Sequence, residues 1–163
     1  MSYNPKDGFP YYFDLAKDED LKHLFSSRST FTLLKSIDEE KATHRYEPDK
    51  WSIKQVVGHI TDHERIKMSR AFWLSRNEKL ELWGYDQEAL VKNARFDELT
   101  MEQLITDIAS VRQSSLSFID TLSEGQLKIE GKARQYPVSL EEFLKSIIGH
   151  ERHHLNILKE RYL

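Results

Sequence analysis

Seven histidines stand in the chain: His23, His44, His59, His63, His150, His153 and His154. His150 and His154 are four residues apart, as are His59 and His63, so within a helix each pair projects from one face, one turn apart. Such a pair, joined by one or two histidines from a second helix, can close three sides of a coordination sphere. Neutral imidazoles suit zinc, nickel, copper and iron, and three of them leave positions open for water or substrate. The chain has no cysteine, which excludes disulfides, thiolate zinc sites and cysteine nucleophiles; any metal must be held by His, Asp or Glu. Spacing alone leaves a second reading open, in which these histidines are surface residues or satisfied groups at the edge of a core.

Four helical patterns must position them. From about Asp18 to Ile37, the residues Leu21, Leu24, Phe25, Phe31, Leu34 and Ile37 recur at three- and four-residue steps with one longer gap. A second helix runs from about Ser52 to Arg76 on Ile53, Val56, Val57, Ile60, Met68, Ala71 and Leu74, after the turn residues Pro48 and Asp49. Thr100 with Gln103 resembles a capping box and opens a third helix, carrying Met101 to Leu122 and ending near Gly125. Ser139 with Glu142 opens the last, which continues to the C-terminus. The connections between them are long, so the expected fold is an all-α four-helix bundle that need not be simple up-and-down. The first fifteen residues, with two prolines and a glycine, read as an irregular arm pinned by Phe9, Tyr11, Tyr12 and Phe13. Trp83, Gly84 and Tyr85 read as a loop or short turn, and Lys128 to Val138 as a basic, turn-like segment.

At about 100° per residue, the apolar stripe of the last helix is centred on Leu144, Ile147, Glu151, Leu155 and Leu158. His154 falls on its edge and His150 slightly beyond, while His59 and His63 flank the apolar arc of the second helix. Glu64 falls inside that arc, and Arg112 at the flank of the third helix's stripe. A buried carboxylate without a partner costs several kcal/mol, so a contact of Glu64 with Arg112 or Arg70 is expected to fix helix packing.

The length of 163 residues fits one domain with a real core. Apolar residues make up 39% and charged residues 31%, the balance of a soluble globular protein. A net charge of −3 argues against nucleic acid or an anionic membrane surface as partner. No basic start leads an apolar run, and no stretch approaches the roughly 20 apolar residues of a membrane span, so a cytoplasmic location is expected.

The segments WSIKQVVGHITDHE, Trp51 to Glu64, and VSLEEFLKSIIGHERHHLNILKERY, Val138 to Tyr162, resemble the two signature segments of the DinB-like (DinB/YfiT) superfamily. In that family a tryptophan before the second helix precedes a histidine by eight residues, here Trp51 and His59, and the final helix carries a pair four apart, here His150 and His154. The resemblance implies a four-helix bundle holding one divalent metal ion, commonly zinc or nickel, through His59, His150 and His154. It also implies a small-molecule substrate and homodimers in many relatives. Characterised branches include transferases that use low-molecular-weight thiols. The pattern does not call for His63, and His153, turned about 100° from His154, is expected to be exposed. His23 and His44 have no pattern to recommend them.

Three neutral histidines leave a bound ion its full charge, which lowers the pKa of bound water to the order of 7 in favourable zinc sites and favours thiolate over thiol. The expected activity is a metal-dependent S-transfer from a small thiol to a small electrophile. A metal-dependent hydrolase and a non-catalytic metal-holding bundle are the alternatives. Asp62 is the only carboxylate near His59 on a comparable side and projects towards solvent, so no catalytic acid or base is assigned.

Overall fold

Helix starts carry much of the architecture. The computed structural model describes residues 3–77 and 84–163. Ser52, Thr100 and Ser139 each accept from the backbone N–H three residues on, and the side chains of Gln55, Gln103 and Glu142 close the reciprocal bond. They open the three long helices: α4 (Ile53–Ser75), α6 (Met101–Asp120) and α8 (Leu140–Ile157). The chain after α8 continues as a π-turn through Leu158–Tyr162.

The first of the four helices is broken. Asp20 caps α2 (Leu21–Ser26), and α3 follows as Ser29–Lys35. The break coincides with the longer gap in the apolar pattern between Phe25 and Phe31. There the Ser27 hydroxyl accepts from the Ser29 backbone N–H, the local competition by which serine interrupts helices.

Two other segments are more regular than the sequence led us to expect. The N-terminal arm contains a 3₁₀ turn (Pro5–Asp7) and α1 (Phe9–Asp14), with Pro10 in its first turn, where a missing N–H costs nothing. At six residues α1 is too short to display a period; its aromatic residues packing on α8 hold it. The basic segment forms a β-hairpin, β1 (Glu130–Ala133) with antiparallel β2 (Tyr136–Ser139), turning through Arg134 and Gln135. Between α4 and α6 lie α5 (Gln87–Asn93), capped by Asp86, and a 3₁₀ turn at Phe96–Glu98. Gly125 lies within the short α7 (Glu124–Leu127), after the end of α6. Gly84 and Tyr85 lie in the irregular stretch before α5; Trp83 lies outside the described residues.

Among the described residues the core has two apolar clusters. One joins Leu34 of α3, Ile53, Val56 and Ile60 of α4, Leu104 and Ile108 of α6, and Leu155 of α8. The other joins Leu24 and Phe25, Ala71, Ile119, and Phe143, Leu144 and Ile147. The clusters are met in the same order along α4 and α6 and in the reverse order along α2–α3 and along α8. The two central helices therefore run in the same direction, which the long connection between them makes possible. A polar layer separates the clusters, one charged residue from each long helix: Glu64, Arg112 and Glu151.

Candidate metal centre

The polar layer fixes how α4 and α8 meet. Arg112 donates from Nε to both Glu64 oxygens at 3.1 and 3.2 Å, and from Nη2 to Glu64 Oε2 at 2.9 Å. Its Nη2 also donates to Glu151 Oε2. Ser115 donates to Glu64 at 2.7 Å and Thr30 to Glu151 at 2.6 Å, so α3, α4, α6 and α8 are tied in one buried network. The expected Glu64–Arg112 contact is therefore present, and Glu151 is the second carboxylate of the pair. Arg70 instead places its guanidinium 5.6 Å from the Tyr85 ring centre.

Beside this layer three histidines converge. The Nε2 of His150 lies 3.2 Å from that of His59 and 3.1 Å from that of His154, and the three rings offer nitrogens all within 4.8 Å of one another. His59 and His150 are 3% and 4% exposed, deeper than helix flanks alone imply; His154 is partly exposed and forms the open side. Burial drives the imidazole of His59 down to about 4, and burial followed by the neighbouring rings drives His150 and His154 well below the usual histidine range. All three are neutral at pH 7, the state in which a ring nitrogen can ligate.

Hydrogen bonding does not account for this meeting. A ring nitrogen offers one hydrogen or one lone pair, and the His150 Nε2 faces two partners at once. One nitrogen of the trio is left over in every tautomer. A cation taking all three lone pairs removes the conflict, and tetrahedral zinc distances place such nitrogens about 3.3 Å apart, close to the spacings seen. The donor set and its geometry fit a borderline divalent metal.

Aromatic rings wall the centre. Trp51 packs on His59 at 4.8 Å between ring centres and holds its place by donating from Nε1 to Glu88 at 3.0 Å. Tyr12 of α1 sets its ring edge on His150 at 5.0 Å. His63 stacks face to face on His150, at 3.5 Å and 13°, and stands outside the converging trio. His153 is partly buried against the Tyr11 hydroxyl, where exposure was expected. His23 and His44 are exposed. Asp62 is half-buried, where projection towards solvent was expected, and pairs with Arg65 at 3.2 Å. A groove of 1240 Å³ between α3 and α6 contains none of these histidines.

Sequence reasoning gave Tyr12 a pinning role but missed its contact with the centre, because a short aromatic helix announces no partner. It also passed over Lys67, although that residue follows His63 by one helical turn.

Residues 25–158 match the DinB superfamily. The chain belongs to that family. Its DinB fold is also that of YfiT from Bacillus subtilis, a probable metal-dependent hydrolase with an unusual four-helix bundle topology. The two superpose with a TM-score of 0.72 at 16% identity, over 98% of this chain and 91% of YfiT. No curated protein matches significantly. Among the described residues no helix is long and apolar enough to cross a membrane.

Proposed function

We propose that this DinB-superfamily member holds one divalent metal ion, zinc or nickel, through His59, His150 and His154. We read it as a metal-dependent transferase that joins a low-molecular-weight thiol to a small electrophile. The convergence of three neutral, buried imidazole nitrogens on one point carries this reading. A divalent ion held by neutral ligands keeps its full charge and lowers the pKa of a thiol or water that reaches it.

The chain's own residues do the rest. Burial keeps the three rings unprotonated, so the nitrogens need not shed protons to bind. Stacking by His63 and the edge contact from Tyr12 fix the plane of the His150 ring. Trp51 and Tyr12 limit water on two sides and leave approach past His154. The absence of cysteine means that the thiol is a substrate.

The test is metal analysis of purified protein, with thiol consumption measured across bacillithiol, mycothiol, coenzyme A and glutathione. The expected result is one equivalent of divalent metal, lost in His154→Ala together with thiol transfer. Hydrolysis, the activity named for YfiT, is the result that would replace the transferase half of the reading. A protein that retains no divalent metal overturns the whole.

A further inference from the structure

A group of cations next to the histidines has no role in the reading above. On α4, Lys67 follows His63 by four residues and Arg70 follows it by seven, about one and two turns along the same face. Lys67 is partly buried, and among the described residues its amine lies over a ring face, Phe143 at 5.0 Å. Its electrostatic neighbours are Arg70, Arg134, His63 and His150. Neither Lys67 nor Arg134 makes an ion pair among the described residues.

Arg134 reaches this place from the hairpin tip. Its φ of +56° lies in the left-handed region, which a non-glycine residue rarely adopts, and its guanidinium lies against Gly8 at the start of α1. Two phenols complete the group: Tyr12, in the field of Arg134 and in edge contact with His150, and Tyr85, beneath the Arg70 guanidinium. Burial raises the pKa of both phenols, so they remain O–H donors.

We infer that Lys67 and Arg134 form a subsite for an anionic group, a carboxylate or a phosphate, on the molecule that reaches the histidine centre. Burial, followed by the fields of Arg70 and Arg134, pushes the Lys67 amine down to about 8, while Arg134 stands at the exposed edge of the same place. A bound anion offsets the like-charge field and favours the charged amine. It accepts bidentately from the Arg134 guanidinium, pairs with the Lys67 ammonium, and takes hydrogen bonds from the two phenols. The substrate class of the proposed enzyme is thereby narrowed to compounds that carry a carboxylate or phosphate besides the reacting group. This rests on the metal reading only for what lies beside the subsite.

The experiment is calorimetric titration of the zinc-loaded chain at fixed ionic strength, with inorganic phosphate in one arm and malonate in the other. One saturable site is expected, and the tighter arm identifies the anion's chemistry. Lys67→Met and Arg134→Gln should each weaken that site about tenfold, as loss of a charge-assisted contact does, while Lys132→Gln on the same hairpin leaves it unchanged. Arg134 is exposed at a turn, so its variant keeps the test valid if Lys67→Met folds poorly. The titration is repeated in His154→Ala. Retained binding there assigns the anion to the cations even if the metal reading fails. Binding lost in His154→Ala but intact in Lys67→Met and Arg134→Gln places the anion on the metal and overturns the subsite. No saturable binding in either arm overturns it too.

Discussion

Glu64 and Arg112 show what a single charged residue in an apolar stripe can disclose. A carboxylate inside the buried arc of α4 demanded a partner, and the guanidinium at the flank of α6 could reach it. Glu151 gave the same signal from the centre of the α8 stripe, yet which cation it shared was not legible, because that depends on helix rotation and not on spacing. The arrangement is two carboxylates on one guanidinium, wholly enclosed. Removing the cation strands both acids, whereas replacing one acid strands less charge. Arg112→Met is therefore expected to destabilise the fold by about 3–5 kcal/mol. Urea unfolding followed by circular dichroism measures this. A change below about 1 kcal/mol, the range of an exposed pair, would mean that the layer is solvated and not structural.

At the scale of elements, the long helices were legible because their caps and periods agree. Thr100 with Gln103 and Ser139 with Glu142 mark starts that the structure reproduces to the residue. The short elements were not. A six-residue helix spans under two turns, and a hairpin turning through Arg134 and Gln135 lacks the glycine that usually announces one. What places α1 is a glycine on another element. A Cβ on Gly149 would stand 1.8 Å from the Tyr12 carbonyl oxygen, so only glycine lets the α1 backbone lie on α8. Gly149→Ala adds up to about 1 kcal/mol of helix propensity to α8, yet forces α1 off at a cost of about 1–3 kcal/mol or more. The expected outcome is faster amide exchange confined to α1, read by hydrogen–deuterium exchange, with α4 and α6 unaffected. Unchanged exchange in α1 would mean that the backbone slides without loss.

Across the whole molecule, the separate contributions of sequence meet at the histidine centre. Helical spacing put His59, His150 and His154 on flanks that could face one another, and the parallel run of α4 and α6 with α8 reversed is what brings them together. Spacing could not reveal the depth of the site, which follows from α1 and Trp51 closing over it. That depth has a consequence for acid stability. An unfolded histidine takes up a proton near pH 6.5, but His59 in the folded chain resists doing so until about pH 4. Between these values the unfolded state binds more protons, so stability is full above about pH 6.5 and is lost as pH falls. His150 and His154 shift in the same direction. From His59 alone, the loss by pH 4 is on the order of 3 kcal/mol in metal-free protein. Bound metal adds stability above that window in proportion to its excess over Kd, and this increment vanishes as protons compete for the same nitrogens. Thermal melts with EDTA and with zinc should therefore diverge at pH 7.5 and converge towards pH 4. Melting curves that coincide at both values would separate the histidines from any metal, and a metal-free curve that is flat across the window would mean that the rings are already protonated in the fold.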